Sequence, residues 1–182
     1  MGKSLGYHAP YREWIKVRRE IRAEIMEKGY NSNVNAFTQY YGSDDVDGSI
    51  LRMPLTGFIK ASDPKFLSTL EKVEKDLKNK DGIFIRYKND DGITGKDNGF
   101  ILLSFWYVED LILIGRIKDA KETFENLLSY SNHLMLFSEE LDFDNSNEML
   151  GNFPQAITHL GVIRAAVKLN RAMRKKGVKL NK

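Results

Sequence analysis

Apolar residues recur at every third or fourth position in three segments of the chain, and most of the residues between them are charged. This spacing predicts amphipathic helices over roughly residues 10–28, 62–78 and 118–131. A helix with one apolar stripe lies on the outside of a fold. We therefore predict three outer helices. Their stripes are Trp14, Val17, Ile21 and Ile25; Phe66, Leu70, Val73 and Leu77; and Ala120, Phe124, Leu127 and Leu128.

Three other segments have a different pattern, which is apolar on nearly all sides. They are roughly residues 100–114, the first half of 154–176, and the stretch after Ser43 that Pro54 kinks or ends. A helix that is apolar all round is enclosed by the rest of the fold. Outer and inner helices therefore alternate along the chain.

The connections between these helices also alternate in length. The inner-to-outer connections are short, at about 57–62 and 115–117, whereas the outer-to-inner connections are long, at about 29–43, 79–99 and 132–153. In a series of helical hairpins, all the long connections emerge at one end. The fold class predicted is all-α, with about six helices in (α/α) hairpins and short extended pieces in the long loops.

Each long loop carries aromatic or charged residues next to an extended-looking piece, and long loops on a rigid scaffold often carry function. We expect side chains from the three loops to converge. Aromatic rings stack on the C–H faces of sugars, and charged forks hold neighbouring hydroxyls. The pattern indicates a polyhydroxylated ligand. The expected residues are Gln39, Tyr40, Tyr41, Arg86, Tyr87, Glu139 and Glu140.

Structural roles are open for some of these residues. The tyrosines Tyr40, Tyr41 and Tyr87 are also suited to plugging the end of a helical barrel. Arg86 is also suited to a structural ion pair with Asp90 or Asp91. The expected convergence of three separate loops is what favours a ligand site.

The composition describes one globular domain covering residues 1–182, with 42% hydrophobic and 29% charged residues. The chain has no cysteine, which excludes disulfides, thiolate metal sites and a cysteine nucleophile, and fits a reducing cytoplasm. No signal peptide is visible, and the most apolar segment, residues 100–114, is too short to span a membrane. We expect no membrane partner.

The net charge of +3 hides an uneven distribution. Residues 164–182 hold eight basic side chains and no acid, while the rest of the chain holds 20 basic and 25 acidic side chains. A nucleic-acid binder usually spreads basic charge over a working face. We interpret residues 177–182 as a solvated basic tail and expect no nucleic-acid partner.

The acidic segment "DFDNSNEM" raises the question of a metal site. Asp142, Asp144 and Ser146 stand at alternate positions, as in a calcium loop. Such a loop requires glycine at its sixth position and glutamate at its twelfth, where this chain has Asn147 and Phe153. A polar turn is favoured, and we expect neither a metal nor a cofactor.

Four blocks of the chain resemble consecutive blocks of glycoside hydrolase family 15, which contains glucoamylases, glucodextranases and trehalase-like enzymes. The resemblance extends from about residue 14 to residue 170 and rests on "GSDDVDGSILRMPLTGF", "FIRYKNDDG", "GFILLSFWYVEDLILIGRIKDAKETFENLL" and "LFSEELDFDNSNEMLGNFPQAITHLGVIRAA". It implies an (α/α)6 barrel, or toroid, of twelve helices. The six predicted helices correspond to the second half of that barrel.

The resemblance also implies a reaction, which is inverting hydrolysis of an α-glucosidic bond in a maltooligosaccharide, a glucan or trehalose. One carboxylic acid protonates the leaving oxygen and one carboxylate activates water, ~6.5–9.5 Å away. Glu139 matches the catalytic base, and Glu140 is expected to orient it. Arg86 matches the arginine that binds sugar hydroxyls.

Further positions follow from the same resemblance. Tyr87 lies beside the arginine, Phe100 falls near an aromatic residue that lines the pocket, and His159 stands at the start of the last inner helix. Ile157 departs from the Trp or Phe that is common in the family.

The family's general acid lies in an upstream "W-E" motif that this sequence does not contain. General acid catalysis contributes ~10²–10⁴-fold, so we expect this polypeptide alone to be weak or inactive. Two alternatives remain for a partner chain: a complementary half-barrel chain and a second copy of this chain. A non-catalytic helical module that binds sugar or another protein is the alternative function.

Overall fold

The computed structural model describes residues 3–89, 98–143 and 148–175, and its framework is a set of packed helices. The helices are α1 (Tyr11–Lys28), α2 (Arg52–Leu55), α3 (Pro64–Leu77), α4 (Ile101–Leu113), α5 (Ile117–Leu128) and α6 (Ala156–Lys175). Two 3-10 turns, Lys3–Leu5 and Gly48–Leu51, complete the helical part. The basic tail predicted at 177–182 lies outside the described residues, and the single-domain assignment stays a prediction.

Short strands occur only in the long connections among the described residues. Strands β1 (Tyr30–Asn31) and β2 (Ala36–Phe37) form an antiparallel pair in the first loop. Strand β3 (Gly99–Phe100) pairs with β4 (Glu140–Asp142), and β4 pairs with β5 (Glu148–Leu150), all antiparallel. This second sheet joins the second loop to the third.

Helix α4 is the centre of the core, as its uniformly apolar sequence predicts. Ten of its thirteen residues are buried, and it packs against both α5 and α6. The predicted stripe of α3 is also buried: Phe66, Leu70, Val73 and Leu77 are at most 3% exposed. Asp63 caps α3 by accepting the N–H of Lys65, and Pro64 takes the first helical position, where it needs no donor.

The second predicted helix is much shorter than its apolar pattern suggested. Asp47 has an extended backbone and accepts the N–H of Ser49, so the helical part starts only at Gly48. A 3-10 turn then leads into α2, which ends one residue after Pro54. The acids Asp44 and Asp45 therefore belong to the preceding loop. Ile50 and Leu51 are nevertheless buried, as an inner element requires.

Helices α1 and α6 leave apolar side chains in contact with solvent. Every residue of α1 is at least partly exposed, including Trp14, Val17 and Ile21 of its predicted stripe. Helix α6 buries Gly161, Ala165, Leu169 and Met173 and exposes its other apolar side. That side presents Ile157, Leu160, Ile163 and Val167, each 43–59% exposed. The inner helix predicted from 154–176 is thus enclosed on one side only.

No helix within the described residues is long and apolar enough to span a membrane.

Candidate active site

Glu139 lies directly before β4, and its backbone is fixed on both sides. Its N–H donates to the carbonyl of Asn152 at 3.0 Å, and its carbonyl accepts the N–H of Ile101 at 3.2 Å. The residue is therefore tied to the first turn of α4 and to the segment that follows β5. Because the backbone of Glu139 is held at both its N–H and its carbonyl, the direction of its Cα–Cβ bond is fixed.

The carboxylate of Glu139 is held as well as its backbone. Its Oε2 accepts two hydrogen bonds from Asn152, one from the backbone N–H at 3.2 Å and one from Nδ2 at 2.9 Å. Within the described part of the chain, Oε1 accepts none. Glu139 is half-buried, so solvent water can reach it. A half-buried carboxylate with one occupied oxygen suits a base that takes a proton from water.

The segment before Glu139 is held by the start of α6. The N–H of Phe137 donates to His159 Nε2 at 3.4 Å, and its carbonyl accepts the N–H of Gln155 at 2.9 Å. His159 Nδ1 lies 2.8 Å from the Gln155 carbonyl. Because that carbonyl can only accept, Nδ1 carries the proton and Nε2 is the acceptor. His159 thus binds main chain with both nitrogens and supports the segment that leads to Glu139.

The backbone of Arg86 is held by a hydrogen bond, and its side chain extends into solvent. Its carbonyl accepts the N–H of Gly48 at 2.7 Å. Its side chain is 62% exposed, with Nε 3.8 Å from Oδ2 of Asp47 and the guanidinium 5.3 Å from the ring centre of Tyr87. Asp47 is therefore a carboxylate with which Arg86 can form the structural ion pair that is the alternative to ligand binding. Asp90 and Asp91 lie outside the described residues.

Backbone hydrogen bonds connect the Arg86 loop to the Glu139 loop. The carbonyl of Phe84 accepts the N–H of Phe100 at 2.9 Å, and Phe100 pairs with Glu140 between β3 and β4. Phe100 therefore links the backbone of Phe84 to the backbone of Glu140. Arg86 is two residues after Phe84, and Glu139 is the residue before Glu140. Phe100 is half-buried and lies between the backbone segments of Phe84 and Glu140.

Gly99 allows this close approach of the loops. A Cβ at Gly99 would lie 2.5 Å from the ring of Phe143 and 2.6 Å from a methyl of Ile83. Any larger residue would push β3 away from its neighbours. The glycine in "NGF" therefore has a steric reason.

The first long loop joins the second through Gln39. Asn89 Nδ2 donates to Gln39 Oε1 at 2.6 Å. Tyr40 and Tyr41 are 62% and 48% exposed and line a cavity of about 340 Å³ together with Arg52 and Met53. These rings therefore lie beside α2 and are in contact with solvent. Gln39 lines the same cavity.

Sequence reasoning missed two residues that hold the predicted site. Asn152 lies in the quoted segment "GNFPQA" but carries no chemistry by type alone. Asp47 follows Asp44 and Asp45, and its residue type does not distinguish it from them. Its signal was the Asp-Gly pair at 47–48, which often marks a turn.

No group of three or more metal-ligating side chains occurs in the ranges that the structure describes. Asp144 and Ser146 of the calcium-like segment lie outside those ranges.

Comparison with known proteins identifies the family. The sequence profile of glycosyl hydrolases family 15 matches residues 1–167. Trehalase of Thermoplasma volcanium is 49% identical over 181 residues, and trehalase of Thermoplasma acidophilum is 45% identical over 181 residues. These alignments cover 100% of this chain but only 29% and 31% of the two trehalases. Trehalase of Mycobacterium tuberculosis is 40% identical over 163 residues, which are 88% of this chain and 24% of that enzyme.

Solved structures show the same fold. A wild-type glycosidase superimposes with a TM-score of 0.73 at 20% identity, and a glycosidase variant in complex with glucose superimposes with a TM-score of 0.76 at 19% identity. Each match covers 89% of this chain and 46% of the other chain. The predicted all-α class and its likeness to a portion of an (α/α) barrel are confirmed. The chain belongs to glycosyl hydrolases family 15.

Proposed function

We propose that the chain is the base-bearing portion of a glycoside hydrolase that cleaves an α-glucosidic bond with inversion. The observation that carries this proposal is the carboxylate of Glu139, held through Oε2 and within reach of water. In the proposed reaction, the oxygen of water bonds to the anomeric carbon while the glycosidic bond breaks. Glu139 takes the proton from water, and a general acid protonates the leaving oxygen.

Trehalose is the substrate that we propose first, because relatives at 49% and 45% identity are named trehalases. Maltooligosaccharides and glucans are the second choice. Arg86 binds hydroxyls of the sugar, Phe100 and Tyr87 contact it, and Glu140 orients the base. Tyr40, Tyr41 and Gln39 contribute from the first loop. His159 acts through its hydrogen bond to the main chain of Phe137. The absence of cysteine favours the cytoplasm as the location.

The general acid comes from protein outside these 182 residues in this proposal. The supporting observation is the exposed apolar surface on α1 and α6, which a complementary half-barrel would cover. The matched glycosidases also contain more than twice the matched length, since the alignment covers 46% of each. A second copy of this chain is the other partner that could cover α1 and α6.

The test is an assay of glucose release from trehalose, maltose and maltotriose. The purified chain is measured alone and mixed with a chain carrying the rest of the Thermoplasma volcanium trehalase. We expect release in the mixture, and a loss of ~10²–10⁴-fold on Glu139→Gln, because a general base contributes that much. The exposed Glu148 on the same hairpin provides the matched control, Glu148→Gln, which should retain the rate. Equal rates for both variants would exclude Glu139 as the base.

A non-catalytic module is the second candidate function, and the exposed apolar faces of α1 and α6 favour it. Such a module would bind sugar or protein without turnover. Trehalose binding that is unchanged by Glu139→Gln, with no glucose released in any mixture, would support it.

A further inference from the structure

We propose that Asn152 is a positioning residue that holds Oε2 of Glu139 and thereby presents Oε1 to the attacking water. This inference rests on the proposed function, since it gives the base its orientation. It concerns a residue whose type carries no catalytic chemistry of its own.

Asn152 and Glu139 bind each other reciprocally. The N–H of Glu139 donates to the Asn152 carbonyl at 3.0 Å, while the N–H and Nδ2 of Asn152 both donate to Oε2. Three hydrogen bonds between two residues fix their relative position. Because the backbone N–H and Nδ2 of Asn152 both donate to Oε2 of Glu139, Oε1 is the carboxylate oxygen that remains for water.

Gly151 makes this arrangement sterically possible. Its φ of +71° lies in the left-handed region, which glycine adopts without strain. A Cβ at this position would lie 3.0 Å from both Cβ and Oε2 of Glu139. The turn before Asn152 therefore brings the main chain against the carboxylate as closely as a residue without a side chain allows.

The surroundings of Asn152 argue against a purely structural role. Asn152 is exposed, and its side chain has no buried position to fill. Its side-chain amide donates to the half-buried carboxylate of Glu139. A hydrogen bond to a charged group is stronger than one between neutral groups. The main chain at residues 137–139 is already held by Ile101, Gln155 and His159. Asn152 adds control of the carboxylate itself.

The test measures kcat and KM for trehalose in the mixture described above. Asn152→Ala removes the Nδ2 bond, and Asn152→Gln moves the amide by one methylene. For each we expect kcat to fall ~10–100-fold, the effect of losing a hydrogen bond to a charged group, with KM within about twofold. Asn33→Ala, at an exposed asparagine in the first loop, should match the unaltered chain.

Each outcome decides a different claim. Turnover by the unaltered chain with an unchanged kcat for Asn152→Ala and Asn152→Gln would overturn this inference and leave the proposed function standing. A loss of kcat that coincides with a lowered urea unfolding midpoint in both variants would also overturn it, because the role would then be structural. No turnover by the unaltered mixture would overturn the proposed function and this inference together.

Discussion

The Glu139 end and the Arg86 end of the candidate site are held in different ways. Glu139 has its N–H, its carbonyl and Oε2 in hydrogen bonds. Arg86 has a bonded carbonyl, but its side chain is 62% exposed and lies 3.8 Å from Asp47. The carboxylate is thus oriented before any ligand arrives, whereas the guanidinium is largely exposed to solvent, where a ligand can reach it. This division suits a base that must aim at water and a cation that gains partners from sugar hydroxyls.

Of the changes at Arg86, His159 and Asp110, replacing Arg86 should have the largest effect. Arg86→Ala removes the fork of donors, and we expect kcat/KM for trehalose to fall ~100-fold, as for losing hydrogen bonds to a charged group. Arg86→Lys keeps the charge but not the planar fork and should recover only a small part. Arg12→Ala, at an exposed position of α1, is the control. A lysine variant with the original rate would show that charge alone is needed.

Replacing His159 tests whether the Glu139 end depends on its support. His159→Ala leaves the N–H of buried Phe137 without its acceptor, which costs ~1–3 kcal/mol of unfolding free energy. Urea unfolding measures this loss. His133→Ala removes an exposed histidine and should change nothing. Equal stability of the two variants would mean that His159 is not a support, and its role would return to direct contact with the ligand.

The smallest effect is expected in α4, which carries neither end but lies beneath both. Asp110 is fully buried, and neither of its oxygens has a hydrogen-bond partner among the described residues. Burial, and then the charge of Glu109, raises the pKa of Asp110 well above its ordinary 3.8. The folded state therefore keeps a proton that the unfolded state releases. The unfolding free energy falls as pH rises above about 3.8 towards the raised pKa.

Asp110→Asn removes the group that binds a proton in the folded state and releases it in the unfolded state. We expect the variant to be more stable than the unaltered chain by about 1 kcal/mol at pH 7, because asparagine stays neutral without binding a proton. The gain should disappear towards pH 4. Urea unfolding at both pH values measures it, with Glu148→Gln as the control. A difference that is the same at pH 4 and pH 7 would show that Asp110 does not titrate as its burial implies.

The helical framework was predictable because each helix repeats its pattern over several turns. The stripe of α3 and the apolar run of α4 both appear in the core as expected. The second predicted helix was too long because the extended backbone of Asp47 delays the helix start, and a pattern of apolar residues does not report that. The exposure of Trp14 and Val17 was also invisible, because a stripe shows which side is apolar and not what covers it.

The candidate site was predictable only where residue type announces chemistry. Glu139 and Arg86 drew attention as charges in long loops and through the family resemblance. Asn152 did not, because its importance arises from a left-handed turn at Gly151 that brings it against Glu139. His159 was expected near the pocket, yet its two nitrogens bind main chain. These roles depend on contacts that form only in the folded chain.

The central claim is that Glu139 and Arg86 face one sugar-sized site. Glucose titration of the isotope-labelled chain, followed by nuclear magnetic resonance, tests it most directly. The account predicts that the backbone amides of Glu139 and Asn152 and the Nε–H of Arg86 shift together along one saturable isotherm, which Arg86→Ala weakens at Glu139 as well. Shifts confined to one of the two ends, or separate isotherms for Glu139 and Arg86, would contradict it.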